Sequence, residues 1–199
     1  GYEGAVQGVR VVARKEFAGP WEYLLEDAIF TAPALERFSG AALIDRNGHL
    51  VGIGYLFSQL KITEMGLMPT NMFVPIDLLK PILRDLKLSG KTKLPSRPWL
   101  GVRTEEFYGR LIVERVVSGS PAEKAGIKSE DIILAVNKQD VHGMADFYRK
   151  VWALGKGGVD VHLRILQGIQ IRDIVVYSTA RSQYEQPVQK EKQTDVELL

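Results

Sequence analysis

Apolar positions in the first part of the chain recur at strand spacing and are broken by turn residues. Residues 9–17 and 21–30 are two such runs around Gly19-Pro20, and they predict a β-hairpin. Residues 41–44 and 50–54 flank Asp45-Arg46-Asn47-Gly48-His49, and an Asn-Gly pair between apolar runs is a strong hairpin signal. Residues 60–70 read as an irregular connection, followed by a short strand at 72–74. The period then changes. Leu78, Leu79, Ile82, Leu83 and Leu86 recur at helical spacing and predict a helix over 77–86. Pro81 falls in its first turns, where amides lack helical partners in any case.

Lys, Ser, Gly and Pro dominate residues 87–98, which marks a domain boundary. The division is a first domain over 1–90, a linker over 91–98, a second domain over 99–179 and a flexible tail over 180–199. In the second domain, strands are predicted near 100–104, 110–117, 131–137, 159–166 and 169–177, with a helix over 144–154. That helix puts Phe147, Val151 and Leu154 on one apolar face and Tyr148 and Trp152 on the adjoining one. The residues after Arg181 have almost no apolar content before Leu198-Leu199 and read as solvated. The class is mainly β with a few helices.

Composition narrows the function. A chain of 199 residues with 45% apolar and 25% charged residues is that of an ordinary globular protein of one or two domains. A net charge of +2, without a basic stripe carrying interleaved aromatics, gives no sign of a nucleic-acid partner. Cysteine is absent, which excludes disulfides and thiolate metal sites. No apolar run reaches membrane-spanning length, so no membrane span is expected. Neither a cofactor nor a metal site is expected. Gly1-Tyr2-Glu3-Gly4 does not look like a natural beginning, and a fragment is expected.

The most informative stretch is Gly119-Ser120-Pro121-Ala122-Glu123-Lys124-Ala125-Gly126-Ile127, followed by Asp131 and the run Ile132 to Asn137. Pro121 suits a first helical position, since its missing amide hydrogen would have no helical partner. Gly126 can end the turn with positive φ. Turn, one-turn helix, glycine stop and buried strand in this order resemble the core of PDZ domains. The resemblance implies an α+β domain that takes the free C-termini of protein or peptide partners as an added strand. Arg97-Pro98-Trp99-Leu100-Gly101-Val102 is similar to the carboxylate-binding loop that opens the permuted PDZ domains of HtrA-type proteases. Amides around Leu100, Gly101 and Val102 could form the anion nest, with Trp99 beside them and Tyr148 and Trp152 as groove-lining candidates.

The first half extends the resemblance. Phe38-Ser39-Gly40-Ala41-Ala42-Leu43, a hairpin, then Leu50-Val51-Gly52-Ile53-Gly54 looks like the nucleophile segment of the HtrA (DegP-type) serine proteases. Asn71-Met72-Phe73-Val74-Pro75-Ile76-Asp77 is similar to that family's closing strand and helix. The implied architecture is half of a trypsin-like double β-barrel, the second barrel, followed by the PDZ domain. Ser39 falls on the nucleophile and Arg37 on the residue whose backbone amide forms half of the oxyanion hole. The chain departs from the pattern at Arg37, Phe38 and Ala41, where the family has glycine, Asn or Asp, and glycine. His49, His142 and His162 all follow Ser39, whereas the family's His and Asp precede the serine in the N-terminal barrel, which is missing here.

The expected function is therefore the C-terminal part of an HtrA-like serine endopeptidase of the periplasm or cell envelope, homo-oligomeric as an intact protein. The chain alone should be inactive. The alternatives are a non-catalytic PDZ adaptor on a degenerate protease scaffold, and an unrelated β domain joined to a PDZ module.

Overall fold

The computed structural model describes residues 6–62 and 66–184. The chain divides into two compact units, Gly1–Pro95 and Ser96–Leu199. Both are mainly β.

The first unit is one antiparallel sheet. Its strands are β1 (Arg10–Gly19), β2 (Tyr23–Ala32), β3 (Ala42–Ile44), β4 (Leu50–Ile62) and β5 (Gly66–Pro75). They pair in the order β1-β2-β5-β4-β3, an open path without closure between its ends among the described residues. β2 explains why both faces of the sheet are covered. Ala28, Ile29, Phe30 and Thr31 are all buried, and side chains alternate across a strand. Ala28 and Phe30 join Leu25, Leu60 and Met72 in one core. Ile29 joins Phe38, Leu43 and Phe73 in the other. Burying each side chain of this size contributes roughly 1.5–3 kcal/mol.

Two expectations are corrected here. Residues 60–70 are not an irregular connection, because β4 and β5 form a long hairpin with pairs from Gly52↔Pro75 to Ile62↔Gly66. Pro69 and Gly66 disguise the alternation, yet Leu60 opposite Met68 keeps an apolar pair on one face. The helix over 77–86 is also broken. A 3-10 turn, Ile76–Leu78, is separated from α1 (Leu83–Ser89). Pro81 lies between them: it supplies no amide and disfavours helical geometry in Lys80. Gly90, at φ +66°, ends α1.

The second unit contains β6 (Pro98–Trp99), β7 (Val102–Phe107), β8 (Arg110–Val116), α2 (Pro121–Lys124), β9 (Ile132–Val136), β10 (Gln139–Asp140), α3 (Met144–Trp152), β11 (Asp160–Gln167), β12 (Gln170–Tyr177), β13 (Thr179–Ala180) and α4 (Arg181–Tyr184). The main sheet runs β12-β11-β9-β8-β7, with β10 on β9, and β6 pairs with β13 apart from it. β7 is therefore an edge strand. Leu111, Val113, Ile133, Ala135, Val161, Leu163 and Ile165 alternate inward to form the sheet's share of the core, and Phe147, Tyr148 and Val151 of α3 are buried with them. The tail expected over 180–199 lies largely outside the described residues. Its first residues form β13's end and α4, with the Tyr184 ring 4.6 Å from that of Trp99.

Candidate functional site

The loop that enters β7 is held from below by the motif that follows β8. Ser120 caps α2, its side chain accepting the Glu123 amide at 3.3 Å. The Ala122 amide, in the first turn of α2, donates to the Leu100 carbonyl at 2.9 Å. The Val117 amide donates to the Gly101 carbonyl at 2.8 Å. In a planar trans peptide the carbonyl and the next amide point in opposite directions. The Gly101 and Val102 amides consequently face away from α2 and β8.

Gly101 makes this geometry possible. Its φ is +84°, and a Cβ there would stand 2.2 Å from the Ser120 Cβ. Only glycine fits both the conformation and the space. Trp99, Leu100 and Val102 are buried, so these residues build the loop and do not offer side chains to solvent.

α3 lies beside the β7 edge. The Thr104 and Tyr148 hydroxyls are 3.3 Å apart, and Thr104 is fully buried. Tyr148 is only 1% exposed. The sequence placed it on a groove-lining face, but it packs in the core because α3 buries a stripe wide enough to include Phe147, Tyr148 and Val151. Trp152 is half-buried, stacked on Tyr148 at 5.5 Å and covered by the Arg97 guanidinium 4.2 Å from its ring centroid. At the other end of β7, Glu106 accepts the Met144 amide at the start of α3.

In the first unit, Ser39 is exposed at the corner of a turn closed by the Ala41 amide and the Phe38 carbonyl at 2.8 Å. Gly40 takes φ +76° at the third position of that turn. The turn is fixed to β4: Gly40 donates to the Gly54 carbonyl and Gly54 to the Ala41 carbonyl, both at 2.8 Å. A Cβ on Gly54 would stand 2.1 Å from the Phe38 carbonyl oxygen, so the turn requires glycine there. Phe38 sits in the core with its ring 6.2 Å from that of Phe73. Phe38 thus has a packing role at the position where the family resemblance implies Asn or Asp.

Asn71, fully buried on β5, clamps the approach to Ser39. Its Oδ1 accepts the Leu35 amide at 2.6 Å and its Nδ2 donates to the Leu35 carbonyl at 3.1 Å. Sequence reasoning missed Asn71. A polar side chain opening the apolar run Met72-Phe73-Val74 was the available signal. Neither Ser39 nor Arg37, both exposed, has a hydrogen-bond partner among the described residues. His49 is engaged on its own hairpin, with Nδ1 3.3 Å from Asp45 Oδ2. The His49 and Asn47 amides and the imidazole hold the Asp45 carboxyl below the ordinary carboxylate range.

Residues 98–176 match the PDZ domain family. Over 148 residues the chain is 32% identical to the serine protease Do-like HtrB of Bacillus subtilis (strain 168), a match taking in 65% of this chain and 31% of that protein. Over 115 residues it is 35% identical to a protein of Marinomonas sp. (strain MWYL1) named "Probable periplasmic serine endoprotease DegP-like", covering 52% of this chain and 23% of that one. Among solved structures, the HtrA-type protease AlgW with decapeptide shares the fold. Its TM-score is 0.50 at 24% identity, over 78% of this chain and 50% of that one. The chain spans less than a third of the length of these two curated relatives. The chain is thus similar to part of these HtrA- and DegP-like serine proteases, and it carries a PDZ domain over residues 98–176.

Proposed function

We propose that this chain is the peptide-binding and nucleophile-bearing part of an HtrA-like serine endopeptidase of the cell envelope. Residues 1–90 act as the second protease barrel and 99–179 as the PDZ domain. The observation that carries the binding half is the orientation of the Gly101 and Val102 amides at the start of an edge strand with α3 alongside. An incoming C-terminus pairs with β7 and sets its carboxylate against those amides.

Ser39 is the nucleophile in this reading and the Arg37 amide contributes to the oxyanion hole, with His and Asp supplied by an N-terminal barrel. The name of the Marinomonas relative, a probable periplasmic endoprotease, supports the envelope location. The intact protein acts as a homo-oligomer. A second reading, a non-catalytic PDZ adaptor, is favoured by one observation: glycine is replaced by Arg37 where the family's oxyanion loop turns.

Two measurements test the proposal. A fluorescent peptide ending in Val-Glu-Leu-Leu should bind the chain with a free carboxylate and lose affinity when amidated; equal binding removes the carboxylate loop. In a longer form that carries the upstream His and Asp, a fluorophosphonate probe should label Ser39, and Ser39→Ala should abolish labelling. Absence of labelling in that form selects the adaptor.

A further inference from the structure

Glu106 lies towards the end of β7 away from the Gly101 loop, beside the start of α3. Val102, Thr104 and Glu106 alternate onto one face of β7. Thr104 reaches Tyr148 and Glu106 reaches the Met144 amide, so that face is the one turned to α3. Gly143 makes the second contact possible. With φ +117° it leaves the space in which a Cβ would stand 2.9 Å from Glu106 Oε1 and 3.3 Å from its Cδ.

The register of an added strand follows from the loop. Antiparallel strands advance residue for residue, and directly opposed side chains share a face. A peptide whose carboxylate lies at Gly101 and Val102 places its last residue opposite Val102. The residue two before it lies opposite Thr104, and the residue four before it lies opposite Glu106. A carboxylate accepts through both oxygens. Oε1 is engaged by the helix amide, whereas Oε2 has no partner among the described residues. The neighbouring acid on α3, Asp146, is already paired with Lys150.

We propose that Glu106 is a specificity-determining residue of the groove, selecting peptides with Lys or Arg four residues before a free C-terminus and disfavouring Asp or Glu there. This rests on the peptide-binding reading of β7.

The test is fluorescence anisotropy on the full chain with labelled hexapeptides Ala-Xaa-Val-Glu-Leu-Leu, Xaa being Lys, Ala or Glu, each also prepared amidated. At low salt, the wild type should bind the Lys peptide about threefold to tenfold more tightly than the Glu peptide, the range expected of a partly exposed ion pair. Glu106→Gln keeps an oxygen for the Met144 amide and should level the series; Glu106→Lys should invert it. Carboxylate-dependent binding with equal affinities, or a series unchanged in Glu106→Gln, overturns the Glu106 assignment alone. Indifference of every peptide to amidation overturns the peptide-binding reading, and this inference with it.

Discussion

The hydroxyls of Thr104 and Tyr148 meet at 3.3 Å inside the second unit, one on the edge strand and the other on the helix beside it. The Tyr148 hydroxyl satisfies that of Thr104 where water does not reach it. Removing the Tyr148 hydroxyl leaves Thr104 buried without that bond, which costs about 1–3 kcal/mol, whereas replacing both by apolar groups is closer to neutral. Tyr148→Phe and Thr104→Val should each destabilise the second unit, and the double variant should lose less than their sum. Urea unfolding with hydrogen exchange read over residues 144–152 checks this. Strict additivity would mean that the hydroxyls are not coupled.

Gly101→Ala should be severe. The added Cβ meets the Ser120 Cβ and the residue must still hold positive φ. The expected loss is at least about 2 kcal/mol, from overpacking and backbone strain together. Adding Ser120→Gly relieves the clash but not the strain, so thermal unfolding should recover only in part. A neutral Gly101→Ala would contradict the loop geometry.

The start of α3 should soften in acid. Partial burial favours the protonated Asp146 carboxyl, but the bonds from Lys150 and the His142 amide outweigh it and hold Asp146 below the ordinary range. A depressed carboxylate contributes stability that is present above its unfolded value, about 3.9, and is lost as pH falls through the folded one. Asp146→Asn should therefore cost up to about 1 kcal/mol at pH 7. The gap between variant and wild type should close as the solution is acidified below that value. A gap independent of pH would assign the loss to packing.

Thr31 carries the opposite expectation. Its hydroxyl is buried in β2 without a hydrogen-bond partner among the described residues. Thr31→Val removes a desolvated polar group at nearly constant shape, and should leave the first unit as stable or stabilise it by up to about 1 kcal/mol. A large loss in thermal unfolding would show that the hydroxyl is engaged.

Local chemistry was legible in the sequence where it decides the backbone by itself. Asn47-Gly48 marked the β3–β4 hairpin, Pro121 and Gly126 bounded α2, and the run from Ile132 gave β9. The β4–β5 hairpin was hidden because its stability lies in cross-strand pairs such as Leu60↔Met68, which no single window contains. The pairing of β6 with β13 depends likewise on tertiary context. At the candidate site, the loop around Gly101 was readable because glycine and the downstream motif announce it. Glu106 and Asn71 were not, since each acts through a backbone group distant in sequence, Met144 in one case and Leu35 in the other.

The most direct test of the peptide-binding claim is amide chemical-shift mapping on the isotope-labelled chain during titration with Ala-Lys-Val-Glu-Leu-Leu. The largest changes should fall on residues 100–106 and 144–152, and the amidated peptide should not reproduce those at Gly101 and Val102. Changes concentrated on another strand such as β12, or identical shifts from both peptides at the loop, would contradict binding of a free C-terminus at β7.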